Sequence, residues 1–415
     1  SSVNGDYSGL TAVGYYAGRN TANSFSTFMG TNAGERAAGS SNDFFGYYAG
    51  RGYTSSEPYN NGGNNVAIGR EALEGFRSGS YNIALGREAL TNQRDGDSNI
   101  GIGYNALYGY QTSVNNSTNY NISIGQSSMF YHGQGDHNIA MGYNTLHFNV
   151  SGSSNIAIGR ESGQYATGSS NTFVGYKAGQ GSSGAPYSSG GSNTAIGYEA
   201  LKSFTTANLN VAVGLSSGES STTAYRNVYL GPYAGRYNTT GLGNIFIGYE
   251  AGKGASGVGA AHTYNVGIGY QALEAIRSGA NNIAIGSYAG GSMDEGDYNV
   301  LLGNSAGNAI TDGDSNVAIG YQSGVSMTTP SYNTYLGYQS GYRNVVGADN
   351  VAIGREAGEN ATGSYNTFVG SQAGLGGTTS APYSSGGSNT AVGRQALDAF
   401  TTGHSNNAFG VAALG

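Results

Sequence analysis

A chain of 415 residues with 74 Gly, 34 Tyr, no Trp and no Cys excludes a disulfide scaffold and any thiolate metal site. Only 10% of its residues are charged and the formal net charge is −7, so no basic stripe offsets nucleic-acid phosphates. The 38% of hydrophobic residues fall at regular positions, which disordered tracts do not show, and no secretory leader or membrane-spanning run is recognisable.

A short motif recurs from one end to the other: Asn, then Val/Ile/Thr, a small or aromatic residue, an aliphatic residue and Gly. Asn82-Ile83-Ala84-Leu85-Gly86-Arg87-Glu88-Ala89-Leu90 is one copy. Taking the Gly that closes each core as a marker, 23 units run from Gly14 to Gly410, most of them 16 or 17 residues apart. Five intervals are longer, and their extra residues fall at 51–64, 108–120, 180–192, 253–264 and 375–388. Three of these extensions share a Pro-Tyr pair, Pro58-Tyr59, Pro186-Tyr187 and Pro382-Tyr383, each followed by Gly-Gly.

Within a unit, the β-branched residue three before the marker and the apolar residue just before it alternate with period two, which predicts a short strand. Gly-Ser or Gly-Asp ahead of the Asn is turn chemistry, and Gly recurs too often for a helix. One strand and a few tight turns per repeat make an all-β fold, a parallel β-solenoid of about 23 coils of 16–17 residues. At a coil spacing of about 4.8 Å this is a rod of roughly 110 Å. We expect a single repeat domain over 1–415. Both ends lie inside repeating sequence, so a segment of a longer fibre protein is the expectation.

Two regularities locate the core. Three residues after the marker every unit has a small side chain, with Ala72, Ala89, Ala106, Ala200, Ala272, Ala357 and Ala396 among them. Such uniformity predicts a tight contact. A coil so rich in Ala and Gly encloses little apolar volume, so we expect this row to be buried between several parallel chains, a trimer or higher. The strand aliphatics, Ile83 and Leu85 in the example, are expected to point to a core.

The second regularity is an exchange of size. Eight units with a bulky residue two before the marker, such as Phe28, Phe246 and Leu301, have Gly four after it, whereas units with Leu or Met there have a small residue two before the marker. Close packing predicts that the two positions share one space, within a coil or across a chain interface. Copying of two ancestral repeat types would also produce the pattern.

The cores Asn65-Val66-Ala67-Ile68-Gly69, Asn155-Ile156-Ala157-Ile158-Gly159 and Asn350-Val351-Ala352-Ile353-Gly354 resemble the head repeats of YadA-type trimeric autotransporter adhesins, and are similar to repeats of phage tail-fibre proteins. The resemblance spans Thr11 to Leu414. It implies a parallel β-roll with several chains around a common axis, aliphatic residues between them, and an extracellular adhesive or spacer role at a cell surface or in a virion tail fibre. This sequence departs from the family in its longer coils and periodic extensions.

Chemistry is sparse. The five histidines lack ligand spacing and read as structural or solvated. Arg70-Glu71, Arg87-Glu88, Arg160-Glu161 and Arg355-Glu356 recur, so they read as exposed charge ladders between coils or chains. Asp95, Asp97, Asp312 and Asp314 cluster oxygen ligands in turns and are calcium candidates, with turn-forming Asp as the plainer reading. Tyr follows the marker in ten units, among them Tyr104, Tyr143, Tyr176, Tyr198, Tyr249, Tyr270, Tyr321 and Tyr338, which predicts an outward tyrosine ladder. Asn116, Asn121, Asn149, Asn238 and Asn360 lie in Asn-x-Ser/Thr sequons, expected by chance in so Asn-rich a chain. The Pro-Tyr extensions are the recognition candidates, since loops on a rigid scaffold carry binding. The expected function is non-enzymatic: a structural shaft or head module of an oligomeric extracellular fibre, with no cofactor. A glycan-recognising tail fibre or adhesin head is the alternative, with cell-surface glycans or proteins as partners.

Overall fold

Each Asn-x-x-x-Gly core becomes a three-residue strand followed by a corner. The computed structural model describes residues 8–21, 24–53, 60–109, 118–184, 187–256, 260–377 and 384–414. They fall into two compact units, Ser1–Leu209 and Asn210–Gly415. The first holds eleven strands, from β1 (Thr11–Val13) to β11 (Thr194–Ile196), and the second twelve, from β12 (Val211–Val213) to β23 (Asn407–Phe409). Within each unit a strand pairs in parallel with that of the next coil, like position on like position. Ile83 lies beside Ile100, Ala84 beside Gly101 and Leu85 beside Ile102. Each unit is therefore an all-β parallel solenoid, and no helix occurs among the described residues.

The marker glycine makes the corner. Gly86 has φ +128°, and a Cβ there would lie 2.7 Å from the Gly103 carbonyl oxygen of the next coil. That backbone region belongs to Gly, and the stacked corners leave no room for a side chain. The following turn uses left-handed backbone twice, at Glu88 (φ 57°) and Leu90 (φ 54°). Hydrogen bonds to neighbouring coils hold it, from Glu88 N to Arg70 O (2.9 Å) and from Leu90 N to Ala106 O (2.9 Å). The ladder thus continues around the corner.

The motif's asparagines form a buried ladder of their own. Asn99 donates from its backbone N (2.9 Å) and its Nδ2 (3.2 Å) to Oδ1 of Asn82, and its Nδ2 also donates to the Thr118 carbonyl (2.6 Å). Its own Oδ1 accepts the same two bonds from Asn121. The pattern repeats coil by coil, and most of these side chains are wholly buried. A buried amide survives only when all its groups are satisfied, and here the stack supplies every partner.

The core lies inside each coil, with the strand turned opposite to expectation. The central strand residue points inward: Ala84, Phe246 and Leu301 are fully buried. The flanking aliphatics point out, leaving Ile83 37% and Ile285 41% exposed. Strand parity permits either face, and the coil's interior is too narrow for two β-branched side chains at every level. The small row is also internal. Ala72, Ala89, Ala106, Ala200, Ala272, Ala357 and Ala396 are each fully buried in a single chain, so they have no surface to offer a second one.

The size exchange is a contact within the coil. A Cβ on Gly34 would lie 2.6 Å from the Phe28 ring, one on Gly307 2.7 Å from Leu301, and one on Gly252 would overlap Phe246. Neighbouring coils join in. A Cβ on Gly101 would lie 2.9 Å from Leu90 Cγ, and one on Gly163 would meet Leu146 at 2.8 Å and Phe173 at 2.9 Å. Where a coil has neither bulky partner, as at Ala352 and Gly358, Tyr335 and Phe368 close in from either side. A cavity of only about 10 Å³ remains there.

Candidate functional site

Since the stack consumes the interior, any recognition must use the outside. Three rows run along each unit, because in-register pairing places the same position of every coil in line. The first is the strand face. In the second unit it presents Val211 and Val213, Val228 and Leu230, Ile245 and Ile247, Val266 and Ile268, Ile283 and Ile285, and so on. The first unit presents the like from Val66 to Ile158. Asp43 is the single ionisable residue at these positions. This is a sheet face with no cover.

The second row follows the marker glycine. The expected tyrosine ladder is there but interrupted. Tyr176 and Tyr198 pack with ring centres 5.1 Å apart, Tyr249 and Tyr270 at 5.3 Å, and Tyr321 and Tyr338 at 5.5 Å. Arginines fill gaps: Arg160 sits 5.6 Å from the Tyr143 ring and 5.9 Å from Tyr176, and Arg87 5.2 Å from Tyr104. Rings stacked face to face along the row spend their faces on one another, which stiffens the edge. The arginines also pair with the Glu beside them, Arg70 with Glu71 (3.0 Å), Arg87 with Glu88 (2.9 Å), Arg160 with Glu161 (3.0 Å) and Arg355 with Glu356 (3.0 Å). The expected ladder of charges between coils is, for these four, a pair inside one coil.

The third row, immediately before the buried Asn, had drawn no attention in the sequence. Its residues have left-handed φ and point outward, and many are aromatic. Tyr81 is 63% and Tyr298 62% exposed. The signal was a Tyr ahead of the Asn, hidden among Ser and Asn residues in other units.

Of the Pro-Tyr candidates, Pro58, Tyr59, Pro186, Pro382 and Tyr383 lie outside the described residues. Tyr187 packs on Phe148 (4.9 Å) and Tyr165 (5.9 Å), in line with an aromatic run through Phe130 and His147. The extensions rejoin the lattice through serines: Ser188 donates to Phe204 O (2.6 Å), and Ser384 to Phe400 O (2.5 Å).

The aspartates of the calcium candidates have other tasks. Asp97 Oδ1 accepts from Ser80 N (2.7 Å), and Asp314 Oδ1 from Asp297 N (2.8 Å), so both splice a side-chain oxygen into the ladder between coils. Asp95 pairs with Arg77 and accepts from Ser78 Oγ (2.6 Å). Burial pushes its carboxyl up, but these bonds hold it below the usual range. Asp312 is exposed, within reach of Thr311 Oγ1 (3.3 Å). No group of three or more His, Asp or Glu placed to hold a metal occurs among the described residues.

The histidines are structural where they are buried. His132 lies between the Asn149 and Gly135 carbonyls, at 2.8 and 2.7 Å, and burial lowers its pKa. His262 packs against the Phe246 ring (5.3 Å) with neither ring nitrogen hydrogen-bonded, and burial pulls it down to about 3. The sequons Asn121, Asn149, Asn238 and Asn360 are buried, so in the folded chain they are core amides; Asn116 lies outside the described residues. No protein-family model matches the sequence, and no curated protein does.

Proposed function

We propose that the chain is a non-enzymatic structural module, the shaft or head of an extracellular adhesive fibre at a cell surface or in a virion tail, built from parallel copies of itself. The observation that carries this reading is the uncovered aliphatic strand face. Twelve coils at about 4.8 Å, and a strip about 10 Å wide, give roughly 600 Å² in the second unit, with Thr334, Thr367, Thr390 and Asn407 as its polar interruptions. That lies at the upper end of the apolar patches of ordinary monomers and is a large part of the ~800 Å² that each partner buries in a stable interface. A second copy presents the same strip with the same rung spacing and almost no charge to repel it. The face thus takes the role that the sequence had assigned to the alanine row. The resemblance to adhesin head repeats supports the same reading.

The test is the mass in solution at micromolar concentration, by light scattering, with an image of the particles. Oligomeric rods are expected for the parent chain. Replacing Ile283, Ile285, Val300 and Leu302 with Lys should leave the strand signature intact and shift the mass towards one chain. A parent chain that is a monodisperse monomer would overturn the assembly reading.

A further inference from the structure

We propose that the outward tyrosines before the buried Asn in the second unit form a comb that binds an extended β-1,4-linked polysaccharide, as in cellulose or chitin. This deepens the adhesive reading, but it stands on residues that the assembly argument does not use. Through seven successive coils the row reads Tyr264, Asn281, Tyr298, Ser315, Tyr332, Asp349, Tyr365. A tyrosine therefore recurs at every second coil, about 9.6 Å apart at the spacing of parallel strands. The four rings are 56%, 62%, 64% and 67% exposed. Unlike those of the row after the marker glycine, they alternate with small or polar residues, so their faces are not spent on each other.

The comb is rigid. Each of its seven positions has left-handed backbone, with φ between 55° and 63°. Each amide is tied to the preceding coil: Tyr298 N donates to Ala280 O (3.0 Å), Tyr332 N to Asp314 O (3.1 Å) and Tyr365 N to Ala348 O (3.0 Å). The Tyr264 ring leans back over Gly243, where a Cβ would come within 2.7 Å of it. The alternation of large with small sets a two-coil period.

That period selects the ligand. In an extended β-1,4-linked chain successive sugar rings are turned over, so the chain repeats after two sugars, a length close to two coils. Each tyrosine then meets an equivalent ring and stacks on its apolar C–H face. Asp297 and Asp314 stand beside the row. Each already accepts a backbone N–H of the preceding coil, at 2.6 Å from Ala280 and 2.8 Å from Asp297, and each carboxylate retains acceptor capacity for sugar hydroxyls. The comb and these neighbours carry no Lys or Arg, which disfavours phosphorylated or sulfated ligands.

The experiment is co-sedimentation of the full chain with microcrystalline cellulose, with chitin, and with granular starch, whose α-linked chains coil. Binding to cellulose or chitin but not starch is expected, and the two arms tell which sugar is preferred. Tyr298→Ser and Tyr332→Ser should each weaken binding by about two- to tenfold, with unchanged thermal unfolding. The fold accepts Ser here, since Ser315 holds the same backbone (φ 55°) one coil away. Ser315→Tyr, which breaks the two-coil period, should weaken binding as well. Absence of binding to both fibres, equal binding to starch, or stronger binding by Ser315→Tyr would overturn the proposal. The mass measurement stands apart: an oligomer that ignores both fibres defeats the comb alone, and a monomer that binds them defeats the assembly alone.

Discussion

Replacing Asn299 by Leu removes one rung of the buried amide ladder at nearly constant volume. Asn299 is fully buried, and its Nδ2 donates to Asn282 Oδ1 (3.0 Å) and to the Gly313 carbonyl (2.8 Å). Its Oδ1 accepts from Asn316 N and Asn316 Nδ2, both at 3.0 Å. In the variant, Asn282 Oδ1 still accepts the backbone N of residue 299, and Asn316 Nδ2 still donates to Pro330 O. The Gly313 carbonyl and the Asn316 N–H lose these partners. At about 1–3 kcal/mol for each buried unsatisfied group, the loss is about 4 kcal/mol. A solenoid couples mainly to its nearest neighbours, so the damage concentrates within a coil or two.

Hydrogen exchange is therefore the assay. The Asn316 amide should exchange about a thousandfold faster, at tenfold per 1.4 kcal/mol, while amides several coils away keep their rates. Asn304→Ala, on the exposed surface of the same coil, should change stability by less than about 0.5 kcal/mol. Asn299→Asp keeps the shape but turns one carboxylate oxygen, in the place of Nδ2, towards both Asn282 Oδ1 and the Gly313 carbonyl. Its folded-state pKa is raised, so its stability should be best at low pH and fall as pH rises. An Asn316 amide that exchanges at the parent rate in Asn299→Leu would refute the ladder's energetic role.

Gly269→Ala and Gly410→Ala separate strain from collision. Both have positive φ, +136° and +119°, but a Cβ on Gly269 meets the Gly286 carbonyl oxygen at 2.6 Å, whereas one on Gly410 meets nothing. Thermal unfolding should show a loss of about 1–3 kcal/mol at Gly410 and clearly more at Gly269. Phe246→Ala should cost about 3–5 kcal/mol by opening a cavity. Adding Gly252→Leu, the pairing used by other coils, should recover part of that in a double-mutant cycle; a coupling of zero would return the size exchange to mere ancestry. His262 is held neutral by burial, with a folded value of about 3 against an ordinary 6.5. Stability should accordingly be full above pH 6.5 and fall as pH drops towards 3, by up to about 5 kcal/mol, and His262→Leu should flatten that part of the pH profile.

The strands and corners were legible because their causes are local and repeated. A φ near +130° demands Gly in any single coil, so the demand appears as an invariant letter, and every strand lies on the three residues before its marker. The contact between Phe28 and Gly34 was legible too, since conserved volume leaves a covariation that one chain with many repeats displays by itself. The Pro-Tyr extensions drew notice for their composition, but Tyr187 packs against Phe148 and Tyr165, which lie in preceding coils. The comb's meaning lies in alternation between coils, which no single repeat displays.

Repetition alone thus determined the class of fold, the rung and the corner, because each rests on the chemistry of a few adjacent residues. The tertiary structure decided which way the rung faces. Alternation of Ile83, Ala84 and Leu85 is the same pattern with either side inward, and only the width of the closed coil excludes the large pair from the interior. That choice moved the alanines from a supposed interface into the core and left the aliphatics outside. It also made the motif's asparagine one link of a buried chain of amides, whose partners stand a full coil away.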